Sequence, residues 1–187
     1  MGGADGRRRA DGSGGTIRAV RRGFRDAVAV GAIDRVPRLV AVDPERCNGL
    51  QRALAAGPPR AVSVAAEHPP ATILGKLCHA CPPDGAHALS ALWGSGGTVI
   101  GVSDKEAMAA QRELAGREGL YLEVSSVVIL PAVRRLLTAG FVHERASVVA
   151  LACGSGYRAL PFNPLAVVMA EIVALADFEH AVGAVSC

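Results

Sequence analysis

The stretch Thr98–Ser103 and its sequel most constrain the fold: a short apolar run, Thr98 to Val102, runs straight into Ser103-x-x-Glu106, the signature of a capped helix. A buried strand feeding directly into a helix is the repeating unit of a parallel α/β sheet. The pattern recurs. Arg38 to Val42 is a second apolar run, and Asp43-Pro44 supplies an N-cap and a first-turn proline for a helix ending near Gly57. Leu120 to Val124 reads as short and extended, Ser125 or Ser126 as the cap of a helix reaching Gly140, and Ser147 to Ala152 as a β-branched, apolar strand. The fold class that follows is α/β, a parallel sheet flanked by helices, with ligands beyond the carboxyl ends of its strands.

The remaining segments fit around that core. Ile17, Val20, Phe24 and Val28 recur at helical spacing, with Gly31 as a stop, and Gly85 to Trp93 is helical in pattern. Pro58 to Pro83 holds six of the eleven prolines and reads as a connection with one short helix near Thr72 to Leu77. Pro164 to Val182 reads as a terminal helix.

Composition narrows the function. The chain has 187 residues, enough to bury about 70% of its unfolded surface as one domain. No apolar run approaches the roughly 20 residues of a membrane-spanning helix. The net charge of +3 is nearly accounted for by Arg7, Arg8 and Arg9 in a Gly/Asp-rich start, which leaves no basic face for nucleic acid. Five cysteines without an apolar leader imply reduced thiols and a cytoplasmic location. Cys78-His79-Ala80-Cys81, with His68 and His87, supplies one tight ligand pair where a structural zinc site uses two, so no metal is expected. His143 and His180 stand alone near helix ends.

GSGGT occurs twice, at Gly12–Thr16 and Gly94–Thr98. The first copy opens a helix, where backbone N–H groups and about half a positive charge suit a phosphate. The second closes a helix and is read as a turn. Neither is G-x-G-x-x-G, and no G-K-[ST] follows, so dinucleotide and P-loop readings are disfavoured. The strand that normally precedes a phosphate loop has no counterpart in Met1 to Asp11.

From Gly12 to about Arg158 the chain resembles the C-terminal half of the fold-type II pyridoxal-phosphate enzymes, most closely the threonine synthase group. The match lies in the order of GSGGTIRAVRRGF, IDRVPRLVAVDPERCNGLQRALAAG, PPDGAHALSALWGSGGTVIGVSDKEAMAAQRELAGREGLYLEVSS and VVALACGSG. The Gly/Arg-rich composition of 1–11 reads as a disordered basic tail, and the resemblance implies an enzyme-derived portion over 12–158, followed by a helical extension over 159–187. It implies pyridoxal 5'-phosphate as cofactor, its phosphate cradled by Gly12, Ser13, Gly14, Gly15 and Thr16. Cys153 stands where the family places threonine or serine against the pyridine nitrogen, as cysteine does in dehydratase-type relatives. Glu123, Ser125 and Ser126 match a Glu-Pro-Ser-Ser stretch, with Val124 in place of proline, and would line the pocket.

The family's cofactor-binding lysine belongs to its N-terminal half, so no catalytic residue is assigned here. Lys76 and Lys105, the only lysines, are expected to be exposed. The expectation is a half-length threonine synthase-like protein, inactive alone, acting in complete relatives on an amino-acid substrate, O-phosphohomoserine. Serine or threonine dehydratase-like and cysteine synthase-like fragments are alternatives, as is a non-catalytic module that pairs with a separate N-terminal half. Uncovered apolar surface would favour self-association.

Overall fold

The computed structural model describes residues 14–57, 72–79 and 82–158. Helix α1 (Gly15–Ala29) leads to strand β1 (Val40–Pro44), a 3-10 turn (Glu45–Cys47) and helix α2 (Gly49–Ala55). Helix α3 (Gly85–Ser95), strand β2 (Thr98–Val102) and helix α4 (Asp104–Glu118) follow. The chain then forms the short α5 (Val124–Val127), α6 (Ile129–Thr138) and a 3-10 turn (Gly156–Arg158). β1 and β2 pair in parallel, Val40 beside Thr98 and Pro44 beside Val102.

Strand alternation sorts the side chains into two cores, and the helices divide accordingly. Ala41 and Val99 face a cluster with Leu39, Ala91, Leu92, Ile17, Val20 and Phe24, which brings α1, α2 and α3 onto one face. Val42, Ile100 and Val102 face a second cluster with Leu74, Ala107, Ala110, Val127 and Ala132, which carries α4, α5 and α6. Leu92, Val102 and Val127 are fully buried, each contributing about 1.5–3 kcal/mol of transfer free energy. This is the expected parallel sheet with helices on both faces.

Local signals account for the clearest elements. Ser103 Oγ accepts from the Glu106 N–H at 3.3 Å while the Glu106 carboxylate accepts from the Ser103 N–H at 2.9 Å, closing the capping box that starts α4. The second GSGGT ends α3, with Gly96 in the left-handed region at φ 63°. Its neighbour Gly97 lies so close to the Leu39 carbonyl that a Cβ would collide with backbone, and this approach lets β2 start beside β1.

Several expectations are corrected. Asp43 and Pro44 close β1 rather than opening a helix, and α2 begins at Gly49 with the Gln51 N–H donating to Asp43. The strand's ladder outcompetes the local cap signal because Asp43 and Pro44 pair in register with Gly101 and Val102. Thr72–Leu77 is a series of turns, and Leu120–Val124 contributes a single bridge, Leu122 to Ser155. The helix expected from Ser125 or Ser126 begins at Val124, with Glu123 at its N-cap, and is interrupted at Val128.

Ser147–Ala152 joins no ladder; Val148, Val149 and Leu151 are exposed. A parallel strand with apolar residues on both faces needs neighbours on both sides, and none pairs with it among the described residues. Among the described residues no helix is long and apolar enough to cross a membrane. The expected helix Pro164–Val182, together with Gly12, Ser13, His68, Cys81 and His180, lies outside the described residues.

Candidate functional site

The N-terminus of α1 is built on Gly14, whose φ of 85° is a left-handed conformation that glycine adopts without strain. A Cβ there would come within 2.9 Å of both the Ala88 Cβ and the Asp84 carbonyl oxygen, at the start of α3. Arg18 fixes the same junction through a 2.8 Å ion pair with Asp84. Glycine at the N-cap offers no side chain to close α1, and no acidic residue lies in its first turn, so its positive end is not neutralised from within the helix. Thr16 is exposed beside it.

Gly14 and Gly85 line a small cavity with Asp43, Cys47, Leu77 and His79, beyond the carboxyl end of β1. At about 20 Å³ it has room for a water molecule rather than an aromatic ring. Asp43 is buried here, and removal from water pushes its carboxyl up to about 6, although the N–H groups of Gln51 and Leu50 oppose the shift. A larger cleft, about 420 Å³, lies between α4 and α6, lined by Ala109, Pro131, Arg134 and Arg135. It contains none of the residues that the sequence marks for cofactor binding. Arg135 in it is committed to Glu106 at 2.7 Å, Glu45 at 3.0 Å and the Gly101 carbonyl.

A second group of residues gathers around Glu123, which is 5% exposed. Its N–H donates to the Gly154 carbonyl at 3.0 Å, and the Gly154 N–H donates to Ser126 Oγ at 3.1 Å. Ser126 Oγ also donates to Glu123 Oε1 at 3.3 Å. Gly154 is obligatory, since a Cβ would collide with the Glu123 carboxylate. Glu123 Oε2 accepts no hydrogen bond of normal geometry; the Lys76 ammonium lies 2.5 Å from it as an ion pair. Ser125 is buried in the same turn. Cys153 precedes this knot and is exposed, its sulfur 3.8 Å from the Leu151 carbonyl oxygen.

The segment 72–79 spans the two groups. Thr72 Oγ1 and the Ile73 N–H donate to Asp104, immediately past β2, at 2.5 and 3.2 Å. Leu77 and His79 reach the cavity past β1, and Lys76 reaches Glu123. The Gly14 end of α1 and the Glu123–Gly154 knot therefore lie on either side of a strap crossing the carboxyl ends of both strands. Lys105 is exposed as expected, whereas Lys76 is half-buried and paired. Sequence reasoning missed Lys76, Asp43, Asp84 and Asp104. For Asp43, the available signal was a carboxylate at the end of an apolar run.

The profile of the pyridoxal-phosphate dependent enzyme family matches residues 10–154. The chain belongs to that family. Among curated proteins it is similar to the threonine synthase of Methanosarcina acetivorans, 31% identical over 143 residues, which are 76% of this chain and 35% of that protein. It is 28% identical over 147 residues to the threonine synthase of Methanocaldococcus jannaschii, covering 79% of this chain and 36% of that protein. The threonine synthase of Mycobacterium tuberculosis is also 28% identical, with 38% of its length covered. The chain thus spans about a third of the length of the relatives it matches.

The family's cofactor carries a phosphate at one end and an aromatic ring at the other, and the described residues fit the two ends unequally. The N-terminus of α1, with a glycine whose place admits no Cβ, suits the phosphate. Neither the small cavity beside Gly14 nor the cleft between α4 and α6 reaches Cys153.

Proposed function

We propose that this chain is a threonine synthase-like scaffold portion, holding cofactor phosphate at the N-terminus of α1 and inactive by itself. The observation that carries the reading is the α1 terminus: a left-handed glycine at the N-cap, no acidic residue in the first turn, and a position at the carboxyl end of a parallel sheet. On this reading Gly12, Ser13, Gly14, Gly15 and Thr16 bind the phosphate with N–H groups and two hydroxyls. Ser125 and Ser126 with Glu123 support the ring side, and Glu123 is kept in place by Gly154. Residues 12–158 form the enzyme-derived portion and 159–187 an extension.

Pyridoxal phosphate, when bound, supplies electron withdrawal that makes the α carbon of an amino acid acidic. This chain's own part is to bind and orient. Cys153 would hold the ring side through its thiol, a weak hydrogen-bond partner. The ion pair of Lys76 with Glu123 and the place of Lys105 in the first turn of α4 support a reading in which neither supplies the covalent link. The two thirds of the relatives that this chain does not span would provide the lysine and the opposite wall. The complete reaction would convert O-phosphohomoserine to threonine, with loss of phosphate and addition of water. Cys153 favours one second reading, a dehydratase-like framework acting on serine or threonine.

The test measures phosphate release from O-phosphohomoserine and ammonia release from serine and threonine with pyridoxal phosphate present. The purified chain should give neither alone, and should give phosphate when mixed with a chain carrying the other two thirds of a threonine synthase. Turnover by this chain alone would overturn the reading.

A further inference from the structure

Two thiols that the proposed function does not use meet at the carboxyl end of β1. Cys47, the last residue of the 3-10 turn behind that strand, is 5% exposed, and its thiol donates to the His79 carbonyl at 3.6 Å. Cys78, on the strap 72–79, is half-buried and immediately precedes His79, so the same contact brings its backbone alongside the Cys47 thiol. The fold brings Cys47, ahead of α2, close to Cys78, late in the Pro-rich connection, and neither is in a disulfide.

We propose that Cys47 and Cys78 are a reactive dithiol that closes to an intramolecular disulfide on meeting a low-molecular-weight disulfide, fastening the strap to the turn behind β1. Cys78 is the more accessible and reacts first. Its thiol gives up a proton to solvent, the thiolate attacks one sulfur of the small disulfide, and that S–S bond breaks to release one small thiolate. The Cys47 thiol then loses its proton to water and attacks the Cys78 sulfur, and the second small thiolate leaves. Two protein thiols are oxidised by two electrons while one small disulfide is reduced to two thiols.

The second step is the slower one. Burial, reinforced by the adjacent Cys78 and Asp43, pushes the Cys47 thiol up to about 11, opposed only in part by the His79 backbone. The consequence for the fold is local. Thr72 and Ile73 already tie the strap to Asp104, and Lys76 ties it to Glu123. A bridge at Cys78 adds a covalent tie next to Leu77 and His79, which line the cavity shared with Gly14.

Cys81, three positions from Cys78, is the competing partner. The full-length chain and its Cys81→Ser variant are incubated under native conditions with oxidised glutathione, the remaining thiols are alkylated, and tryptic peptides are mapped without reduction. Trypsin releases residues 47–52 and 77–105 as separate peptides, so a bridge between them is unambiguous in the variant. The expected product is 47–52 joined to 77–105 in both proteins, in about tenfold excess over a Cys78–Cys81 bridge in the unsubstituted chain. In denaturant the preference should reverse towards Cys78–Cys81, the shorter loop. Alkylation of Cys47 with a Cys78–Cys81 bridge in the native chain would overturn the proposal, as would two alkylated thiols in the Cys81→Ser variant. A Cys47–Cys78 preference that persists in denaturant would also overturn it, because the selectivity would then not come from the fold.

Discussion

The Lys76 ammonium lies 2.5 Å from the Glu123 carboxylate and joins the strap across the strand ends to the turn that holds Gly154. Glu123 is buried and Lys76 is 42% exposed at its side chain, so the pair is asymmetric. Removing the lysine leaves a buried carboxylate without its countercharge, whereas removing both charges leaves a neutral contact. Lys76→Met should destabilise the chain by about 1–3 kcal/mol, the figure being limited by solvent screening at the lysine. Glu123→Gln added to Lys76→Met should recover most of that loss. Urea denaturation of the two single variants and the double variant gives the cycle, and strictly additive effects would contradict the pairing.

Asp43 makes stability depend on pH in the opposite sense to a salt-bridged carboxylate. Its folded carboxyl titrates near 6, above the ordinary 3.8, because burial penalises the charged form despite two backbone donors. The stabilisation from the protonated group is therefore present below pH 3.8 and lost as pH rises through about 6. Its full extent is on the order of 2–3 kcal/mol. Relative to Asp43→Asn, the unsubstituted chain should lose stability between pH 4 and pH 7. Chemical denaturation of both proteins across that range checks it; parallel curves would contradict a raised carboxyl.

The fold was legible where local chemistry and tertiary packing agree. Ser103 and Glu106 announce α4 because the cap is made by residues three apart, and Thr98–Val102 is apolar enough to be buried on either face. The two GSGGT copies were separable because one precedes a helical repeat and the other a strand. Legibility failed where distant partners decide. Asp43-Pro44 carries a helix-start signal, but pairing with Gly101 and Val102 holds it in β1. Ser147–Ala152 has the composition of a strand and no ladder partner among the described residues. In the site, Gly14 and Glu123 could be singled out by motif, while Lys76 could not, because its role comes from a strap that crosses the sheet.

The exposed apolar run is also where association should occur. Val149 is 87% exposed, with Val148 and Leu151 beside it, and an unpaired apolar segment is a template for edge pairing. Light scattering across a concentration series should show self-association, and Val149→Lys should shift it to at least about tenfold higher concentration by adding charge at the edge. A monodisperse monomer at all concentrations, unaffected by the substitution, would contradict this role.

The central claim is that this chain holds the cofactor by its phosphate and not through a lysine. Equilibrium dialysis of the full chain against pyridoxal phosphate and against pyridoxal, followed by borohydride reduction and peptide mapping, tests both halves at once. The account predicts weak, reversible binding of pyridoxal phosphate, binding of pyridoxal weaker by at least about tenfold for loss of the charge-assisted contacts, and no stoichiometric label on Lys76 or Lys105. Equal binding of the two compounds, or one lysine labelled to stoichiometry, would contradict it.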